Sequence, residues 1–322
     1  MKAFMYLGIG KMELQDIPDP TEPFIIRVGG CGICGTDLKA YLNGHHMFTP
    51  PTILGHEFYG IVERAPDDCD FKTGEAVVVA PYVECGECRA CKSGVPSLCK
   101  NKSYLKQGAF CEYVGISLDY LQKGVIRIAS ADDVYTLVEP LACVLNGISR
   151  LRLLPDSKVL VVGGGPMGAL FALVFRERGI PVTVVEPAPA RREAILGWGI
   201  DAREKRPATD GEYDNIVIAV NKKELIPEYV QHVADGGTVL IFSGLPKDEQ
   251  IMIDAFSIHY REVTLTGSFG YAMPHFREAL SMIEGHGREF SKIITKRLPL
   301  EEGLSAFELL ASGKVFKIVL KP

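Results

Sequence analysis

The sequence predicts an α/β protein, with a doubly wound parallel sheet joined to a second, mostly-β domain. Three observations carry this expectation. After about residue 150, apolar β-branched runs at Val159–Val162, Val182–Val185, Ile216–Val220, Val239–Phe242 and Val263–Thr266 alternate with helical patterns. Such alternation calls for a parallel sheet covered by helices on both faces. Before residue 150, short β-rich runs such as Val77–Val79 are broken by Gly and Pro turns, which reads as an irregular β domain. Within that half, four cysteines, Cys85, Cys88, Cys91 and Cys99, fall in fifteen residues.

A chain of 322 residues is long enough for two domains and a well-buried core. Hydrophobic residues at 47% and charged residues at 23% place it among folded, water-soluble chains. The net charge of −5 comes without a basic run, which excludes nucleic acid and anionic membranes as partners. The N-terminal apolar run is too short for a signal peptide. Val159–Phe175 carries no charge and approaches the length of a membrane span. Its middle is Gly163-Gly164-Gly165-Pro166, so it reads as a buried strand turning into a buried helix, and that helix stops at Gly179 before Pro181. Beyond Phe269 the pattern gives helices around Phe276–Glu284 and Leu300–Ser312 and a last strand from Phe316. Nine cysteines without an export signal point to the reducing cytoplasm, where metal binding is favoured over disulfides.

The cysteine loop has the spacing C-x2-C-x2-C-x7-C, which lets four thiolates converge on one tetrahedral ion. Zinc is the usual occupant of such a site, and a four-thiolate shell leaves no position open for chemistry. The loop is a structural staple, and any reactive centre lies elsewhere.

Gly163, Gly165 and Gly168 form G-x-G-x-x-G at a strand-to-helix junction, with Pro166 and Met167 between them. The first glycine permits the tight turn, the second lets backbone approach a pyrophosphate, and the third allows helix and strand to pack closely. The second strand ends at Glu186, eighteen residues after Gly168, where a carboxylate can accept from both ribose hydroxyls. Its charge would repel a 2′-phosphate, so NAD is expected over NADP. Arg191 and Arg192 pull the other way if they neutralise a phosphate, but Arg191 also suits the NAD ribose.

For a reactive metal the candidates are Cys34, His56 and Glu139, and spacing alone leaves Cys31, His45, His46 and Cys143 as rivals. At this point several motifs occur in one order: Gly-Ile-Cys34-Gly-Thr36-Asp37, Gly55-His56-Glu57-x-x-Gly60, the cysteine loop, Glu139-Pro-x-x-Cys143, the glycine turn with Glu186, and Gly267-Ser-Phe-Gly-Tyr271. Together they resemble the zinc-dependent medium-chain alcohol dehydrogenases, in particular the polyol (sorbitol) and threonine dehydrogenase branch, over nearly the whole chain.

The resemblance implies a GroES-like β-barrel catalytic domain, residues 1–147 and 269–322 with the zinc lobe at 85–99. It implies a Rossmann NAD-binding domain at 148–268, with zinc and nicotinamide meeting between the two. It further implies that Cys34, His56 and Glu139 hold a catalytic zinc, with Glu57 as alternate ligand or supporting acid, and that Thr36 relays the proton of the substrate alcohol. One thiolate and one carboxylate neutralise Zn²⁺ formally and leave a position open for a hydroxyl oxygen. Cys143 becomes a buried thiol, and His45 and His46 become loop residues. Lys39 stands where many members end the relay with histidine. Gly270 stands where sorbitol dehydrogenases have arginine, beside a retained Tyr271. Phe110 and Lys317 match positions near substrate and cofactor.

The expected activity is reversible, NAD-linked oxidation of a secondary alcohol on a polyol, cyclitol or similar small molecule, by a homodimer or homotetramer holding two zinc ions per subunit. The alternatives are an L-threonine (amino alcohol) dehydrogenase and, outside enzymes, an NAD- and zinc-binding redox sensor.

Overall fold

A computed structural model describes residues 1–208 and 211–322. The chain divides into two compact units, one of Met1–Ala142 with Tyr271–Pro322 and one of Cys143–Gly270. The first division falls inside the helix Val138–Ile148, which runs unbroken across it and offers no loop at which sequence could place the boundary.

The second unit is a six-stranded, all-parallel sheet. Numbered along the chain within this unit, its strands lie in the order 3-2-1-4-5-6. They are Val159–Val162, Val182–Val185, Asp201–Arg203, Asn215–Ile218, Thr238–Ile241 and Thr264–Gly267. Five of them are the runs expected from sequence, the first two with the same bounds and the other three shifted by one or two residues. The sixth, Asp201–Arg203, lies on the edge and buries only Ala202, so it shows no apolar run to detect.

The uncharged stretch from Val159 does turn from strand to helix. In Pro166–Glu177, every residue from Ala169 to Phe175 is fully buried. Burying one large side chain of that kind stabilises by about 1.5–3 kcal/mol, which fastens this helix to the sheet. Gly179 then adopts φ 67°, and the Ile180 N–H reaches the Phe175 carbonyl at 2.9 Å, closing the helix as its glycine and proline foretold.

The first unit is built on a seven-stranded sheet. Its central strand, Phe24–Gly32, pairs antiparallel with Glu57–Arg64, Tyr113–Ile116 and Lys317–Lys321. The outer strand Ile294–Pro299, with most of its side chains exposed, runs parallel to Lys317–Lys321; its polar pattern hid it among the expected helices. Met273–Phe290 and Gly303–Ala311 are the helices read there, the first broken from helical geometry at His286. Among the described residues no helix is long and apolar enough to cross a membrane.

Candidate active site

Register in the first unit brings two strand ends together beside the last strand. Gly32, at the end of the central strand, lies opposite Glu57 at the start of the next and opposite Val319 of the last. Cys34 therefore follows one strand end by two residues, and His56 precedes a strand start by one. Gly55 supplies the turn before His56 with φ 92°, and a Cβ there would press on Phe110 and the Cys31 sulfur. The ligand atoms of Cys34, His56 and Glu57 lie within 4.8 Å of one another. A thiolate, an imidazole and a carboxylate make a donor set that suits zinc.

Asp37 organises this cluster and is fully buried. Cys34 caps the helix Gly35–Asn43: its Sγ accepts the Thr36 N–H at 3.4 Å, while its own N–H donates to Asp37 Oδ2 at 2.9 Å. The other Asp37 oxygen accepts from the Gly55 N–H at 3.4 Å and lies 3.4 Å from His56 Nδ1. One carboxylate thus ties both ligand-bearing segments and fixes the His56 ring. Burial would push the His56 pKa down, but Asp37 and Cys34 together hold it well above the ordinary range. Sequence left Asp37 unassigned, because an Asp in the first turn of a helix ordinarily reads as a cap.

Lys317 is the second residue that sequence placed differently. It is 2% exposed. Its Nζ donates to Glu57 Oε1 at 2.8 Å, Glu57 Oε2 at 2.6 Å and the Ile33 carbonyl at 3.2 Å. Burial favours the neutral amine, yet Glu57, Cys34 and then Glu139 raise its pKa and keep it charged. Glu139 is buried within electrostatic reach of that ammonium but stands outside the cluster of Cys34, His56 and Glu57.

The rival ligands disperse. Cys31 is buried, and desolvation pushes its thiol well up, followed by Asp37 and Glu57. His45 and His46 stack on each other at 4.6 Å on the loop after the helix. Cys143 belongs to the other unit. Phe110 is a core residue, fully buried and edge-on to Phe307. Tyr271 is fully buried too; it stacks on Tyr82 at 4.4 Å and gives its hydroxyl to the Tyr82 carbonyl.

The four lobe cysteines converge as their spacing requires. Sγ–Sγ separations of 3.5 Å for Cys88–Cys91, 3.7 Å for Cys88–Cys99 and 3.5 Å for Cys85–Cys99 are too long for disulfides. They approach the roughly 3.8 Å edge of a tetrahedron with zinc–sulfur bonds of about 2.3 Å. Backbone N–H groups of Cys85, Cys88 and Asn101 point at these sulfurs. A backbone hydrogen bond from Cys91 brings Cys88 down to about 6, whereas burial and its neighbours push Cys91 up to about 12. Four thiolates need a cation to coexist.

In the second unit the glycine turn has the shape a pyrophosphate needs. Gly163 takes φ 99°. A Cβ on Gly168 would run into the Gly163 carbonyl oxygen, whereas one on Gly165 would meet only the Arg191 guanidinium at 3.9 Å. The second glycine thus faces open space at the N-terminus of Pro166–Glu177, where N–H groups and the helix dipole favour an anion. Glu186 is buried and accepts the Gly164 N–H at 2.9 Å and the Ala188 N–H at 2.8 Å. Each of its oxygens keeps acceptor capacity for a ribose hydroxyl. Arg192 donates to the Glu186 and Pro187 carbonyls, both at 2.9 Å, which occupies it with backbone.

The chain is similar to known proteins over most of its length. Residues 21–125 match the alcohol dehydrogenase GroES-like domain, and residues 166–285 match the zinc-binding dehydrogenase domain. D-altritol 5-dehydrogenase of Agrobacterium fabrum is 31% identical over 324 residues, covering 95% of either chain. L-galactonate-5-dehydrogenase of Escherichia coli is 32% identical over 274 residues, covering 79% of this chain and 78% of its own. A crystal structure from Sinorhizobium meliloti 1021, described as a zinc-binding dehydrogenase bound to NADP, superposes with a TM-score of 0.87 at 28% identity, covering 100% of this chain and 99% of that one.

Proposed function

The chain belongs to the zinc-dependent medium-chain alcohol dehydrogenase family, and from that premise we propose that it oxidises, reversibly and with NAD, a secondary alcohol of a polyol, cyclitol or related hydroxylated small molecule. The observation that carries this reading is the convergence of Cys34, His56 and Glu57, with Asp37 tied to Cys34 and His56 and the Thr36 N–H meeting the Cys34 sulfur. Cys34 and His56 hold the catalytic zinc, with Glu139 as third ligand and Glu57 in reserve. Zinc in that donor set supplies Lewis-acid polarisation of the hydroxyl oxygen, which eases loss of its proton.

The residues of the chain do the rest. Asp37 holds the Cys34 cap and the His56 ring in place. Thr36 carries the alcohol proton outward. The turn from Gly163 to Gly168, with Pro166 and Met167 opening the helix, receives the pyrophosphate. Glu186 accepts from the adenosine ribose and disfavours a 2′-phosphate, so NAD is the preferred cofactor, with Arg191 beside Gly165 contributing a donor. Cys85, Cys88, Cys91 and Cys99 hold the second, structural zinc. None of the nine cysteines is joined in a disulfide, which suits the reducing cytoplasm, and we expect a homodimer or homotetramer there.

The relatives that act on altritol and galactonate support a hydroxylated chain substrate. The test is a steady-state screen with NAD⁺ and NADP⁺ over altritol, sorbitol, arabinitol, galactonate, inositols, simple alcohols and threonine. NAD⁺-linked turnover of a polyol is expected. Turnover of threonine alone, or of nothing in the panel, contradicts the reading.

A further inference from the structure

Lys317 and a metal at Cys34 and His56 would draw on the same carboxylate. An ammonium has three N–H bonds. Here they meet three acceptors, both Glu57 oxygens and the Ile33 carbonyl, in a spot from which water is excluded. No donor of Lys317 is left for a cofactor phosphate. Glu57, meanwhile, is one of the three groups whose ligand atoms converge.

We propose that Lys317 is a positioning residue that withholds Glu57 from the metal, so that a coordination position stays open for the substrate hydroxyl. This rests on the reading of Cys34 and His56 as metal ligands given above. Formal charge supports it. A divalent ion is neutralised by the Cys34 thiolate and the Glu139 carboxylate, and the surplus charge of Glu57 is cancelled by Lys317.

The surroundings are shaped for that pair. Gly32 lies opposite Glu57 in register, and a Cβ there would stand 2.5 Å from Glu57 Oε2 and 3.5 Å from Lys317 Cδ. Ile33 turns its carbonyl to the ammonium while its own N–H bonds Ile318 at 2.9 Å, which anchors the start of the last strand. The partners are 260 residues apart in sequence, so the lock forms only when the first unit closes its sheet.

The test compares metal-replete wild-type protein with K317M, E57Q and E57Q/K317M. The readouts are metal loss to a chelator from the Cys34–His56 site, the visible spectrum after cobalt exchange there, and NAD⁺ affinity. With Glu57 freed, K317M should lose that metal about tenfold more slowly, show an altered cobalt spectrum and turn over about tenfold less, the range seen for residues that orient metal ligands. NAD⁺ affinity should not move. Adding E57Q to K317M should return the release rate to near the wild-type value.

E57Q alone should release metal at the wild-type rate, because Glu57 is not a ligand at rest. Release at least about tenfold faster from E57Q would make Glu57 a resting ligand and overturn the proposal. So would a K317M protein with wild-type release, or one with weakened NAD⁺ binding. If K317M does not fold, E57Q and the double variant decide between the outcomes. Wild-type protein lacking a Cys34-dependent metal would instead overturn the reading of the site itself.

Discussion

Replacing Asp37 by alanine tests how the site is held together. The carboxylate is fully buried and serves the Cys34 N–H at 2.9 Å, the Gly55 N–H at 3.4 Å and His56 Nδ1 at 3.4 Å. Losing its half of the reciprocal cap costs about 1 kcal/mol. Leaving the buried Gly55 N–H without an acceptor costs about 1–3 kcal/mol more. The sum, about 3 kcal/mol, is a large share of a typical stability of about 5–15 kcal/mol. For a unit of this size it corresponds to roughly 6–12 °C in melting temperature. Calorimetry on zinc-loaded and chelator-treated protein reads that shift, and zinc affinity at the Cys34–His56 site should fall about 10–100-fold. Asp37→Asn, which keeps one acceptor, should fall between. Unchanged melting together with unchanged zinc affinity in Asp37→Ala would refute the assignment of Asp37 as the tie between the two segments.

Other consequences follow from the same geometry. Cys91→Ser opens the four-sulfur lobe, so melting should fall by about 5 °C or more and chelator should no longer lower it further. Equal melting of variant and parent in chelator and in zinc would remove the structural role. Gly168→Ala sets a methyl against the Gly163 carbonyl, a backbone group that must move, so NAD⁺ binding should weaken about tenfold or more while the lobe and its zinc are untouched. Retained NAD⁺ affinity, read by calorimetric titration, would mean the turn is not the pyrophosphate site. His56 in the metal-free protein binds its proton well above the ordinary pKa, and zinc requires the neutral ring. Zinc affinity at that site should therefore fall as pH is lowered, about tenfold per unit for each proton displaced. Affinity independent of pH between about 6 and 8 would contradict the His56 ligand.

What could be read from the residues, and what could not, follows from how each signal is written. The inner strands of the parallel sheet are buried on both faces, so Val159–Val162 and Asn215–Ile218 stand out as apolar runs. Asp201–Arg203 and Ile294–Pro299 lie at edges with polar faces, and nothing local distinguishes them from loops. The cysteine lobe and the glycine turn were legible because their chemistry sits within one short stretch of chain. The reactive cluster was legible only through the resemblance to a family, since Cys34 and His56 meet through the register of two strands, and four other residues fitted equally well by spacing. Lys317 was hidden further still. Its partner Glu57 lies 260 positions away, and a lysine at the start of a strand ordinarily reads as solvent-exposed. Tyr271 and Phe110 show the opposite limit, where likeness to a substrate-lining position gave way to packing against Tyr82 and Phe307.

The measurement that bears most directly on the whole account is zinc content paired with turnover in wild-type protein and Cys34→Ala. Wild-type protein should hold about two equivalents of zinc per chain, one in the four-sulfur lobe and one at the reactive cluster. Cys34→Ala should hold about one, lose polyol-dependent NAD⁺ reduction, and still bind NAD⁺. A variant that keeps both its second zinc and its turnover would contradict the account.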